Sequence, residues 1–447
     1  MSEGKLLRVV NRRQVLAIAF GAMVGWSWVA LTGVWILSAG ALGAALAFLF
    51  GGSALIFVGL TYAELAAAMP QVGGEHVYSK RALGSTASFV CTWAILFGYV
   101  SVVAFEAVAL PTVLEYLLPG FSKGYLWTVA GWDVNATWVL TGVSAAVVMM
   151  IVNVLGIRTA AKLQVLVVAV VLASGFALFG GAAVNGSAAN TLPSFDGGFA
   201  GALSVLVMVP FMFVGFDVIP QSAEEIDLPF AEIGRILILS VLLAIVWYTL
   251  VIGAVAAGLS AEERAVSALP TADAASALLG VGWAGNILVI GGVAGILTSW
   301  NAFLIGGSRA LYALAKAGQV PEMFARLHPR YNTPHRAIFL TGGLAVIAPF
   351  FGRPALVWLV DAGGLGIVTA YAIVALSFLV LRIREPQMHR PYRVRHGMLI
   401  GSIALTVSVI LATLYLPWSP AALDWPAEWA IVFGWCALGW ILYRFSN

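Results

Sequence analysis

The chain has 447 residues, 61% of them hydrophobic and 10% charged, with 23 Lys and Arg against 20 Asp and Glu and a net charge of +3. A soluble domain carries about 25% charged residues, so this composition excludes a water-soluble enzyme, a disordered chain and a protein with one membrane anchor. So small a net charge also speaks against nucleic-acid binding.

Twelve stretches reach the roughly 20 apolar residues that a spanning helix needs. They are 14–38, 43–69, 86–117, 136–156, 162–183, 200–222, 234–258, 284–312, 335–351, 356–381, 397–417 and 427–444. The fold class expected is an all-α integral membrane protein. The first stretch is too long for a signal peptide and runs on into the second. With the N-terminus inside, twenty Lys and Arg fall in cytoplasmic segments, and only Lys123, Arg264 and Arg353 fall outside. This is the positive-inside asymmetry, and a miscounted span would spoil it. Both termini are expected to be cytoplasmic, in the plasma membrane of a bacterium. Trp127, Trp138, Trp283, Trp418, Trp425 and Trp429 stand at span ends, as an interfacial belt. Cys91 and Cys436 fall in apolar runs and read as neither a disulfide framework nor a metal site.

Two spans carry strong break signals. Span 1 reads Gly21-Ala22-Met23-Val24-Gly25-Trp26-Ser27-Trp28, and span 6 runs from Pro210 through Gly215-Phe216-Asp217 to Pro220. Glycine loosens the backbone and proline removes a donor. Spans 1 and 6 are the first members of two five-helix sets. Broken helices in matching positions point to an inverted-repeat transporter with its site at mid-membrane. The divisions expected are a cytoplasmic N-terminus 1–13, a first repeat 14–183, a second repeat 200–381, and two further helices with a cytoplasmic C-terminus in 397–447.

Several motifs then resemble one family. Glu64 precedes Pro70, Gly73-Gly74-Glu75 and Tyr78. Asn153-Val154-Leu155-Gly156-Ile157-Arg158 joins spans 4 and 5. Gly215-Phe216-Asp217 leads to Ala223-Glu224-Glu225. The longest match is Gly306-Gly307-Ser308-Arg309 through Gly318-Gln319-Val320-Pro321. In this order the chain resembles the amino acid–polyamine–organocation transporters, which share the fold of the bacterial leucine transporter. The resemblance covers most of the chain. It implies alternating access, with spans 1, 2, 6 and 7 rocking against spans 3, 4, 8 and 9 and the cargo held between the broken helices.

On that reading Ala22, Met23, Gly25, Trp26 and Ser27 form the first half of the binding site, where free amides favour an anion. Phe211, Phe213, Val214, Gly215, Phe216 and Asp217 form the second, with free carbonyls for an ammonium. The family pattern is Gly-x-Gly at the first break. Here Trp26 and Ser27 follow Gly25, and Trp26 reads as scaffold packing or as a face for a cation. Glu106 lies deep in span 3. A charge there is costly, so it pairs with a buried donor or balances a cationic cargo. Glu64 and Asp361 are the expected gating acids.

Relatives that use protons carry a lysine in mid-span 5. Here the span has no basic residue after Lys162, and span 8 offers adjacent hydroxyls, Thr298 and Ser299. Hard cations take oxygen ligands, so sodium is expected at Thr298, Ser299 and the carbonyls of Ala22 and Gly25, with no other cofactor. The expected partners are a small amino acid or amine and the lipid bilayer. No nucleic acid and no obligate protein partner is implied. The alternative is a cationic amine or polyamine carrier that is proton-coupled or an exchanger. A channel is disfavoured because nothing resembles a selectivity filter. An enzyme is disfavoured because the five histidines lie in loops or at span ends and no nucleophile–base pair occurs within the spans.

Overall fold

The computed structural model describes residues 8–419 and 421–446, and side chains there except those of 157–161. Lys5 and the side chain of Arg158, both counted above as inside charges, lie outside the described residues.

Helix α1 (Arg12–Met23) starts at a reciprocal cap. The Asn11 side chain accepts from Gln14 N–H, and the Gln14 side chain accepts from Asn11 N–H, so two orphan donors are satisfied. The chain unwinds at Val24–Trp26 and resumes as α2 (Ser27–Ala30) and α3 (Thr32–Ala68). Within α3 the backbone turns at Gly40, at φ +73, so its first residues finish the first span and the rest is the second. After α3 come the short α4 (Glu75–Leu83), α5 (Ser85–Leu117), a hairpin of β1 (Tyr125–Val129) and β2 (Trp132–Asn135), α6 (Ala136–Val154) and α7 (Ile157–Asn185). Then α8 (Gly198–Phe213) breaks and gives way to α9 (Val218–Gln221), followed by α10 (Phe230–Gly258), α11 (Ala261–Val266), α12 (Pro270–Leu279) and α13 (Ala284–Lys316). The chain ends with α14 (His335–Ile347), α15 (Ala355–Arg384), α16 (Gly397–Leu414) and α17 (Ala427–Arg444).

Among the described residues, nine helices are long and apolar enough to cross a membrane. Of the twelve predicted stretches, 14–38, 335–351 and 427–444 fall short of that measure. The first is cut by its break. The ninth is a short α-helix finished by a tight turn, Ala348–Phe351. The last carries Glu428 and Arg444 at its ends and three tryptophans between them.

The helix α5 is the most enclosed, with 89% of its apolar window buried against 28% for the peripheral α16. The packing partners of the two five-helix sets mirror each other. α5 packs on α15 as α13 packs on α7, α3 packs on α8 as α10 packs on α1, and α6 meets α14.

Candidate functional site

The two breaks touch. Gly215 sits at φ +136, and a Cβ there would lie 2.6 Å from the Ala22 Cβ and 3.0 Å from the Met23 nitrogen. Only glycine allows both the conformation and the approach. Gly25 is equally tight: a Cβ would fall 2.6 Å from Glu106 Oε1 and from Ser299 Oγ. Tyr248 of α10 fastens the pair. Its hydroxyl donates to Met23 O at 2.6 Å and lies 3.0 Å from Ser27 Oγ.

Beside the breaks is a closed cavity of about 20 Å³, lined by Ala22, Gly25, Ser27, Val102, Phe105, Glu106, Phe211, Ser299 and Phe303. That is room for about one water molecule. Both ends are shut. At one end α12 covers α2: Pro270 packs on Gly33, Thr271 Oγ1 donates to Trp28 O at 3.2 Å, and Tyr116 of α5 donates to Asp273 at 2.9 Å. At the other end Arg309 holds Glu225 through two hydrogen bonds of 2.8 and 3.0 Å. Both side chains are almost fully buried. Glu225 O also accepts from Val9 and Val10 N–H, which ties the N-terminal segment into the same seal.

Glu106 is buried, and its Oε1 accepts from the Ser299 hydroxyl. The backbone N–H of Trp26 is aimed at the same carboxyl. Oε2 has no hydrogen-bond partner among the described residues. An acidic side chain of the protein thus sits at the loosened amides of the first break, where the resemblance places a cargo carboxylate.

The cavity gathers Ala22, Gly25, Ser27, Glu106 and Phe211 of the predicted substrate set, and Ser299 of the predicted sodium set. The rest of the substrate set does not line it. Trp26 lies against Gly292 of α13, as scaffold packing. Met23 contributes its carbonyl to Tyr248. Phe213 packs on Phe48 and Tyr248, and Phe216 on Tyr62 and Tyr371. Val214 and Gly215 form the break. Asp217 turns from the cavity to Tyr99, which donates to Oδ2 at 2.6 Å, and to Gly215 N–H at 2.7 Å.

Of the residues expected to hold sodium, Ala22, Gly25 and Ser299 line the cavity and Thr298 does not. Thr298 Oγ1 faces α1, donating to Gly21 O at 2.8 Å and also to Gly295 O at 2.7 Å, whereas Ser299 faces Glu106. Successive helix residues point about 100° apart, which explains the divergence. The amide of Gln164 in α7 donates to Ala17 O at 3.2 Å and Thr298 O at 3.1 Å, and so takes carbonyls of both helices. Gln164 in turn accepts from Asn301, and Asn301 accepts from Asn153.

The predicted gates also lie off the cavity. Glu64 is held by Arg382 and Arg390 and accepts from Val394 N–H at 2.7 Å, which ties α3 to the end of α15 and the loop after it. Asp361 meets Glu428 at the start of α17. Sequence reasoning missed Val102, Phe105 and Phe303, although each lies within one helical turn of a named residue, Glu106 or Ser299. Tyr248, also missed, stands in a largely apolar stretch, and Gln164, also missed, follows Lys162 by two residues at the start of span 5. A larger cavity of about 610 Å³ lies elsewhere, between α5, α14, α15 and α17, with a lining apolar except for Ser101. It offers no charged group to a polar cargo.

The arrangement is that of a multi-pass membrane protein with two broken helices in contact beside a small buried cavity that holds one acidic side chain. The family model described as amino acid permease matches residues 10–442, and the chain belongs to that family of membrane transporters. A branched-chain amino acid permease of Bacillus subtilis is 26% identical, over 93% of this chain and 90% of its own length. A methylthioribose transporter of the same organism is 24% identical, over 98% and 93%. An aspartate-proton symporter, also from Bacillus subtilis, is 24% identical, over 98% and 82%.

Proposed function

We propose that this protein carries an amino acid or a closely related amine across the bacterial plasma membrane by alternating access. The observation that carries the proposal is the closed cavity between the two touching breaks, with Glu106 on its wall. The shut state is occluded, and 20 Å³ admits no amino acid, so cargo enters only when the breaks part. Residues 14–183 and 200–381 act as two inverted repeats, a reading that the mirrored packing supports. The end bearing Glu64, Arg309 and Arg382 faces the cytoplasm, in keeping with its basic loops, and both termini lie on that side. The chemistry is binding and movement with no covalent step.

Glu106 is placed to receive an ammonium group. A second reading, a cationic amine without a carboxylate, is favoured by one observation: the amides of the first break already face a carboxyl of the protein. The test is counterflow into proteoliposomes loaded with a branched-chain amino acid, aspartate, arginine or a polyamine. Saturable exchange of one of these supports the reading, and a cargo-independent leak would count as a pore. Glu106→Gln is expected to lower counterflow of a cationic cargo at least tenfold. Uptake of that cargo at the native rate by the variant would remove Glu106 from the site.

A further inference from the structure

Three buried amides run in a chain through the helices behind the cavity to the first broken span. Asn153 of α6, Asn301 of α13 and Gln164 of α7 are all almost fully buried. Asn153 Nδ2 donates to Asn301 Oδ1 at 3.1 Å, and Asn301 Nδ2 donates to Gln164 Oε1 at 2.9 Å. Gln164 Nε2 then donates to Ala17 O of α1 at 3.2 Å and to Thr298 O of α13 at 3.1 Å. The far end is anchored as well, since Asn153 Nδ2 also donates to Met149 O at 3.0 Å. A carbonyl oxygen only accepts, so Ala17 O and Thr298 O at one end and Met149 O at the other fix which way each amide points.

Helix α1 is a short rod with a joint at each end. Toward the cavity the chain unwinds at Val24–Trp26, and toward the N-terminus Val9 and Val10 rest on Glu225. Between the joints two side chains of the neighbouring helices take α1 carbonyls. Thr298 holds Gly21 O at 2.8 Å, and Gln164 holds Ala17 O one turn nearer the basic end. The contact is close: a Cβ on Gly21 would fall 2.6 Å from Gln164 Nε2. Of the described charged side chains on α1, α6, α7 and α13, Arg12, Arg13, Lys162 and Lys316 are exposed and Arg309 is paired with Glu225, so the amides make this contact without a charge.

We propose that the amide chain is a latch on the basic end of the cavity. Gln164 is the positioning residue that keeps α1 against α7 and α13, and Asn301 and Asn153 keep its donor side turned to Ala17. While the latch holds, α1 cannot swing aside and the basic end stays shut. The proposal rests on the carrier reading above, in which the breaks part to pass cargo, and names a contact that must yield for that end to open.

The experiment reads how fast a membrane-impermeant thiol reagent, added on the basic-end side, modifies a cysteine placed at Ser27 in the full-length protein carrying Cys436→Ser, in vesicles without cargo. Asn301→Asp keeps the shape but loses the donor to Gln164 Oε1. The new carboxylate is met only by a Gln164 amide turned round, with its oxygen against two carbonyls. Asn301→Asp and Gln164→Leu should each raise the rate about tenfold, the scale of one or two lost neutral hydrogen bonds, and reagent on the other side should gain nothing. Gln164→Glu should latch only when protonated, because a carboxylate has no donor. Its rate divided by the native rate at the same pH should therefore rise from acid to alkaline buffer. A native rate in both Asn301→Asp and Gln164→Leu, equal acceleration from both sides, or a Gln164→Glu ratio that stays flat across pH would overturn the latch. Asn153→Ala touches neither Gln164 nor α1 and serves where the other variants do not fold. A smaller acceleration on the basic-end side alone is expected of it, and a native rate there would overturn the proposal. One-sided acceleration in a protein that shows counterflow of no cargo would support the latch and reject the carrier reading.

Discussion

At the scale of single residues, the contact between the breaks turns on atoms too few to change. Replacing Gly215 by Ala adds a Cβ against Ala22 at a φ of +136, a conformation that costs a side chain about 1–3 kcal/mol before any clash. The expected result is a fall in the midpoint of thermal unfolding in detergent and loss of counterflow. Tyr248→Phe deletes one hydroxyl that serves both Met23 and Ser27. Each neutral hydrogen bond is worth about 1 kcal/mol, so a modest loss of thermal stability is expected with a larger loss of transport. Unchanged counterflow in Tyr248→Phe would make that tyrosine mere packing. The sequence made these glycines legible only through the matched pair of breaks, because single glycines are common in spanning helices. It concealed Tyr248, which lies among mostly apolar neighbours in α10. It also left open which way the adjacent hydroxyls point: Thr298 faces Gly21 O and Ser299 faces Glu106.

At the scale of elements, the seal at the basic end joins α13 to the loop after α9 through Arg309 and Glu225. Both are almost fully buried, so removing one partner strands a charge, at a cost of about 3–5 kcal/mol. Arg309→Met should therefore lower thermal stability sharply. The double replacement Arg309→Met with Glu225→Met should recover most of it, because neither charge is then orphaned. The recovered protein should still have a looser seal, read as faster modification of a cysteine placed at Val10 by a reagent added from the cytoplasmic side. A double variant as unstable as the single one would mean that the pair contributes attraction beyond mutual neutralisation. This element-level seal was only half legible. Arg309 belongs to the longest family-like motif and Glu225 to another, but nothing in their spacing pairs residues 84 positions apart. The broken spans were legible as elements, while the stretches 335–351 and 427–444 fall short of a spanning helix, one by length and the other by its end charges and tryptophans.

At the scale of the whole molecule, a carrier must open one end while the other stays shut. The end opposite Arg309 is closed by α12, whose Pro270 rests on Gly33. A methyl group at residue 33 would press on that ring, and Gly33→Ala should favour the conformer with this end open, leaving the Arg309–Glu225 seal intact. Accessibility of the cavity reads the shift directly. Cys91 is buried and Cys436 exposed, so Cys436→Ser removes the background reaction, and a cysteine at Ser27, on the cavity wall, becomes the reporter. In the otherwise native protein the shut cavity should leave this cysteine slow to react with a membrane-impermeant thiol reagent added outside. With Gly33→Ala the rate should rise several-fold, and cytoplasmic reagent should gain nothing. Equal acceleration from both sides would mean that the bundle loosens as a whole instead of rocking, and would count against alternating access.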